Sequence, residues 1–332
     1  MARLESDFPD LVCVTFSNAV SWSTVVKHDI VFMLRPANPE QLEAAQLVKS
    51  TRTPLWVDHD DDLTSVPSDN AWADHVRAPA VQYAFREIMR LADFVTVSTA
   101  PLQAKMANLC GAPSKVGLIP NAWDFERLGG TEIVKKDYAP KNIISWRGGP
   151  SHSRDILHFA DDLKLIIKRD VDHRMLFMGS APTYMLESDE FTLRDRIHTI
   201  PVIKSPFRYL EVLRSMRPKI HVIPLVDDAL NRSKSAIAAI ESVMAGAVPV
   251  VPRELQPFNP LLLAAPSFSI KEKGSLAAAV DELLHEPEQL RRMRVASLET
   301  IIRREWNLKQ TNKSRLAVAW KLAGRDPAEV LK

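Results

Sequence analysis

The chain has 332 residues, 46% hydrophobic and 25% charged, with a formal net charge of +2. That is the make-up of a globular protein, long for one domain and comfortable for two. A charge so near neutrality gives no argument for nucleic acid or an anionic membrane as partner. Cys13 and Cys110 are the only cysteines, which excludes a disulfide framework or a zinc cluster built on thiolates and fits a reducing compartment. The first residues lack the apolar core of a signal peptide, and no apolar run reaches membrane-spanning length, so a cytoplasmic protein is expected (host cytoplasm if phage-encoded).

Short apolar runs alternate with amphipathic segments from the start. Residues 11–16, 30–34, 54–58, 94–98 and 115–120 read as strands, with helical patterns at 39–49, 80–91 and 101–109 between them. This is a parallel α/β pattern. The stretch 124–141 holds Gly129-Gly130, several charges and Pro140 without periodicity, and reads as a linker.

A second series then begins. Strands are predicted at 142–146, 174–178, 198–203, 220–225, 249–252 and 267–270, and helices at 153–168, 207–216, 233–245 and 275–285. Two further helices, 288–304 and 308–322, close the chain. The expected architecture is therefore α/β, two Rossmann-like doubly wound domains facing across a cleft. In such sheets ligands sit outside the carboxyl ends of the strands, at a switch point.

With ten glycines against twenty-three prolines, glycine positions carry information. Gly148, Gly149, Gly179 and Gly246 each stand where an apolar run meets the next segment, the usual place for a tight turn or close backbone approach.

The stretch Asn231-Arg232-Ser233-Lys234-Ser235, running on to Glu241 and Gly246, predicts a capped helix before a buried strand. At about 100° per residue, Lys234, Ala238, Glu241 and Ala245 share one stripe of that helix. A cation at the start and an acid at the end would suit a nucleoside diphosphate, with phosphates at the helix start and sugar hydroxyls on the acid. An ordinary amphipathic helix is the plain alternative.

Arg147-Gly148-Gly149-Pro150-Ser151-His152-Ser153-Arg154 follows the first strand of the second series. Its exposed amides and cations would suit a diphosphate, or form a simple turn with surface cations. The G-x-G-x-x-G fingerprint and the P-loop lysine are both absent, against dinucleotide and ATP-hydrolysing families. In the first half, Asp58-His59-Asp60-Asp61-Asp62 would bind a divalent cation or an acceptor hydroxyl, or stand as a solvated acidic loop. The segment Pro120–Asp124, in which Asn121 would turn the chain, borders the expected cleft, and Trp123 and Trp146 would stack on a base or sugar or else serve simple packing. The cysteines and His28, His173 and His221 are expected to be structural.

Several motifs resemble those of GT-B glycosyltransferases, and most closely glycosyltransferase family 4, over nearly the whole length. Val116-Gly-Leu-Ile-Pro120-Asn121 looks like the strand that closes the family's N-terminal domain. Asp93-Phe-Val-Thr-Val-Ser98 looks like the strand before it. Glu241-Ser-Val-Met-Ala-Gly246-Ala-Val-Pro249-Val-Val251 resembles "E-A-M-A-x-G-x-P-V-V", the most specific of these. Glu305-Trp306 is similar to the segment that sends the last helix back to the first domain. The Asp-His-Asp-Asp-Asp-Leu and Asn-x-Ser-Lys-Ser segments look like a compact bacterial or phage subgroup.

The resemblance implies an N-terminal acceptor-side domain at 1–130 and a linker at 131–141. A nucleotide-sugar-binding domain at 142–305 and a returning C-terminal helix at 306–332 complete the layout. It implies that Glu241 holds the donor ribose, that Arg147 binds phosphate, and that His152 or Arg154 supplies a second phosphate cation. It also implies retention of configuration, a UDP-sugar as donor, no cofactor and no metal ligands. The candidate catalytic residues are Arg147, Lys234 and Asp60. Donor-binding candidates are Gly148, Gly149, His152, Arg154, Asn231, Ser233, Ser235 and Glu241, with Asp58, His59 and Asp61 on the acceptor side.

Two departures stand out: Ser233 takes the place of the family's first paired glutamate, and Ser17-Asn18 the place of its first glycine-rich loop. The acceptor stays open among glycan, protein, lipid headgroup and hydroxymethylated DNA. The DNA reading needs Lys27, Arg52, Arg77, Arg86 and Arg90 to form one basic strip. A nucleotide-sugar epimerase on the same fold is a second enzyme reading, and a degenerate sugar-nucleotide-binding module with an interaction role is the alternative of another class.

Overall fold

A computed structural model describes residues 1–17, 20–131, 141–169, 172–180, 191–264, 269–270 and 274–331. Asn18, most of the predicted linker and part of the last predicted strand lie outside the described residues. The strands are β1 (Val31–Leu34), β2 (Leu55–His59), β3 (Phe94–Val97), β4 (Val116–Leu118), β5 (Lys141–Gly148), β6 (Arg174–Gly179), β7 (Ile197–Pro201), β8 (Pro218–Val222), β9 (Val248–Pro252) and β10 (Ser269–Ile270).

They form two parallel sheets. The first has the order β1-β2-β3-β4, with Trp56 paired to Phe32 and Phe94. The second has the order β10-β9-β8-β5-β6-β7. Its strand sequence reverses direction between β5 and β8, so the topological switch point lies there, beyond Gly148 and Val222.

Local chemistry explains the connecting helices. Helix Pro39–Ser50 starts with a reciprocal capping box between Asn38 and Gln41 and with proline in its first turn. Thr99 caps Ala100–Cys110, which ends at Gly111 with φ +65°. Ser205 caps Pro206–Met216. Apolar side chains fill both sides of the second sheet. Ile144, Trp146, Met175 and Phe177 meet Ile156, Leu163 and Ile166 in the larger core. Ile143, Leu176 and Met178 meet Leu213 and Ala245 in a smaller one.

The last long helix, Leu308–Leu322, lies against the first residues of the chain. Leu316 and Trp320 bury Leu4, Asn312 donates to Asp7 at 2.7 Å, and Lys321 sits over the Phe94 ring. The turn into this helix is tied to the first half by backbone bonds from Trp123 N to Trp306 O and from Leu308 N to Trp123 O.

Four predicted segments come out differently in the structure. Residues 11–16 form no strand: they find no sheet partner, and Phe16 is 72% exposed. The predicted helix 153–168 is two helices, Ser153–His158 and Ala160–Arg169, separated at Phe159. The stretch 124–141 contains a short helix, Phe125–Leu128, capped by Asp124, and Lys141 already belongs to β5.

The fourth departure concerns the predicted helix 233–245. It shrinks to Ile237–Met244, preceded by a 3-10 turn at Asn231–Ser233, and Lys234 has extended backbone with ψ 146°. Lys234 therefore does not share a helical stripe with Glu241. The cause is local: Asn231 donates from Nδ2 to Asp155 and to the Val226 carbonyl, and its N–H donates to Asp228. Those bonds hold the segment in a turn.

Candidate functional site

The switch-point end of the second sheet carries a buried polar cluster. Side chains alternate along β5, so Ser145 and Arg147 share a face with Ile143, and Trp146 takes the opposite one. Arg147 Nη2 lies 2.8 Å from Glu241 Oε2, and the Tyr209 hydroxyl donates to the same oxygen at 3.3 Å. Three elements thus converge on one carboxylate: β5, helix Pro206–Met216 and helix Ile237–Met244. Burial pushes the Glu241 carboxyl up, against the opposing effects of Arg147 and Tyr209. Tyr209, whose phenol burial and Glu241 push up, carried no local sequence signal, because its partner lies far along the chain.

Beneath this cluster, Ser145 Oγ donates to the Ile220 carbonyl at 3.2 Å and lies 2.8 Å from His221 Nδ1. The serine proton is thereby used, so Nδ1–H is the donor to the hydroxyl. Burial, reinforced by Arg147, lowers the His221 pKa to about 3, which keeps the ring neutral. His221 is thus a buried neutral ring bonded to Ser145.

At the following turn, glycine is required for space. A Cβ on Gly148 would fall inside van der Waals contact of the Trp146 ring. Gly179, at φ +107°, brings Ser180 N to 2.9 Å from the Gly148 carbonyl, and a Cβ there would strike that oxygen. Gly149 has open space around its Cα.

The other donor-side candidates make internal contacts. His152 Nδ1 is 3.0 Å from Asp155. Arg154 bridges Asp228 and, at 2.8 Å, Asp69 of the first half. Asn231 is a buried pin of the turn. Ser233 accepts at its carbonyl from the Thr99 hydroxyl at 2.8 Å, and Ser235 Oγ accepts from Asn121 Nδ2 at 3.0 Å. Asn70 Nδ2 also donates to the Ser151 carbonyl at 3.0 Å. A small pocket runs between the halves here, lined by Asn70, Ser151, His152, Arg154, Asn231 and Lys234.

Across from it stands the acidic loop. Its carboxylates do not converge. Asp62 accepts from Thr64 and is paired with Lys105. Asp60 and Asp61 are both held by Arg35, at 2.9 Å each, and Asp61 also meets Lys234 at 3.4 Å. Burial pushes the Asp61 carboxyl up, but Lys234 and Arg35 outweigh it and hold the group below the ordinary range. Asp60 goes the other way: burial and the neighbouring Asp61 raise it. Arg35 was not singled out in the sequence; it sits just past β1 with φ +52°, an uncommon conformation for a residue with a side chain.

Asp58 and His59 lie on opposite faces of β2. Asp58 accepts from Thr96 and faces Arg315 of the last long helix. His59 is buried edge-on to Phe85, and its pKa is lowered to about 4 by burial first and by Arg35 second. Among the described residues no group of three or more His, Cys, Asp or Glu has a metal-holding arrangement. In the proposed basic strip, Arg77 is paired with Asp74 and Arg90 with Glu87. No helix among the described residues is long and apolar enough to cross a membrane.

No protein-family model matches the chain, and no curated protein matches it. Solved structures do. Anabaena HepE, in complex with UDP and glucose, aligns over 90% of this chain and 79% of its own, with TM-score 0.65 and 14% identity. The UDP-forming trehalose-phosphate synthase of Burkholderia xenovorans, in complex with glucose-6-phosphate, covers 90% and 77% at TM-score 0.60 and 10% identity. The sucrose-phosphate synthase of Thermosynechococcus elongatus covers 90% and 74% at TM-score 0.61 and 15% identity. The chain shares the fold of these GT-B glycosyltransferases. The likeness is one of fold, carried by the two parallel sheets and the helices around them.

Proposed function

We propose that the chain is a glycosyltransferase that moves a sugar from a UDP-sugar to an acceptor hydroxyl, with retention at the anomeric carbon. The observation that carries this reading is the half-buried Glu241 carboxylate beside Arg147, at the switch point of a sheet whose fold is that of sugar transferases. Open α/β sheets bind their ligands at that point. In this reading residues 1–130 form the acceptor-side domain, 142–305 the donor domain and 306–332 the tail returning to the first.

Glu241 takes the ribose hydroxyls of the donor. Gly148 and Gly149 leave the backbone bare, so a diphosphate can approach their amides closely. Lys234 faces the cleft from the second half and neutralises charge on the departing diphosphate as the glycosidic bond breaks. Asp60, with its raised pKa, lies on the opposing loop as the candidate to accept the proton of the acceptor hydroxyl. The bonds from Thr99, Asn121 and Asn70 to the second half describe how the two sheets meet, which excludes water and aligns the acceptor. The work is done without a metal, in the cytoplasm.

Calorimetry with a panel of nucleoside diphosphates, followed by mass spectrometry of products from UDP-sugars and candidate acceptors, tests the reading. Glu241→Ala is expected to weaken UDP binding by about tenfold or more; unchanged affinity sinks the assignment. Conversion of the donor alone into its epimer would make the protein an epimerase instead.

A further inference from the structure

We propose that Arg147 and Tyr209 are positioning residues that hold the Glu241 carboxylate for the two hydroxyls of the donor ribose, so that Arg147 is not a phosphate contact. This rests on the reading of the cluster as the donor site. Both the guanidinium contact at 2.8 Å and the phenol bond at 3.3 Å fall on Oε2. Among the described residues Oε1 has no hydrogen-bond partner, so it is the oxygen left to take a ligand's hydroxyls. A vicinal diol needs a carboxylate whose plane is set in advance, because an unrestrained glutamate loses side-chain entropy when it binds.

The surroundings agree. Arg147 is directed at Glu241 within the same face of the sheet, and its side chain is only 27% exposed. Its Nε is buried without a hydrogen-bond partner. The groups facing Glu241 from the elements packed on it are Arg147 from β5 and Tyr209 from helix Pro206–Met216. From β8, His221 stays neutral and is bonded to Ser145, so it adds no rival charge. A guanidinium committed to a half-buried carboxylate is a poor choice for a diphosphate, since leaving would strand the carboxylate uncompensated.

The experiment compares UDP with 2′,3′-dideoxy-UDP by calorimetry on the wild type, Tyr209→Phe, Arg147→Met, Glu241→Ala and the double variant Tyr209→Phe/Glu241→Ala. Tyr209→Phe should weaken UDP binding about three- to tenfold, the value of one ordinary hydrogen bond, as suits the long 3.3 Å contact. It should leave dideoxy-UDP unchanged and add nothing in the Glu241→Ala background. Arg147→Met should show the same selectivity. Equal losses on both nucleotides, or a Tyr209→Phe effect that persists without Glu241, overturns the positioning role while leaving the donor-site reading intact. A wild type that binds neither UDP nor any other nucleoside diphosphate overturns both. Tyr209→Phe removes one oxygen only, so the question stays answerable even if Arg147→Met fails to fold.

Discussion

Lys234 Nζ lies 3.4 Å from Asp61 Oδ1, joining the loop after the central strand of the second sheet to the loop after β2 of the first. Asp61 is in turn held by Arg35, so a cation–anion–cation row crosses the space between the halves. The pair is part-exposed, and breaking it by Asp61→Asn should cost only about 0.5–1 kcal/mol. Lys234→Met, by contrast, should lower kcat with a UDP-sugar by at least about tenfold, because it removes charge facing the leaving diphosphate. Thermal melting and steady-state kinetics on both variants give the comparison. A Lys234→Met enzyme with unchanged kcat would leave Lys234 as a tether alone.

Gly179→Ala should destabilise the protein by about 2 kcal/mol or more, since φ +107° is strained for any side chain and the new methyl would strike the Gly148 carbonyl. Gly149→Ala, with open space at its Cα, should leave the melting temperature nearly unchanged. Equal behaviour of the two variants in a thermal melt would refute the crowding argument.

Acid should weaken the fold partly through two histidines. His59 and His221 ionise in the folded state only near about 4 and about 3, against an ordinary value of 6.5. Below pH 6.5 the unfolded chain binds protons that these folded rings refuse, so stability falls as pH drops. The contribution is fully present above pH 6.5 and is lost down through pH 4 and 3. Melting temperature against pH for His59→Gln and His221→Gln should show a flatter acid limb than the wild type. A limb as steep in both variants would assign the acid sensitivity elsewhere.

Thr99 and Asn121 give hydrogen bonds across the halves to Ser233 and Ser235. Replacing them together, Thr99→Val with Asn121→Ala, should remove about 1–3 kcal/mol of attachment. Small-angle scattering should then report a larger radius of gyration. An unchanged scattering profile would show that other contacts suffice.

The inner strands of the second sheet, β5, β6, β8 and β9, were legible because they are buried on both faces and so read as continuous apolar runs bounded by turn residues. Helices with a local starting device, such as Asn38 with Gln41, were legible for the same reason: the signal lies within a few residues. Residues 11–16 show the limit. Their apolar run matches a strand, but a strand exists only where an edge accepts it, and edges are a property of the whole chain. Lys234 is a second case, since its serine-rich neighbours looked like a helix cap and are used in the turn and across the halves. Glu241, Arg147 and Gly148 were found from the motif and the Gly-Gly turn. Arg35 and Tyr209 were not, because what marks them is a backbone angle and a partner distant in sequence.

The helix Leu308–Leu322 covers Leu4 and sets Arg315 against Asp58, so the wall of the first sheet is supplied by residues some three hundred positions further along the chain. During synthesis the first half therefore leaves the ribosome with an apolar flank that stays uncovered until residue 322 has followed it. The interval in which that flank is open to wrong contacts is therefore set by the time taken to translate from the first sheet to residue 322.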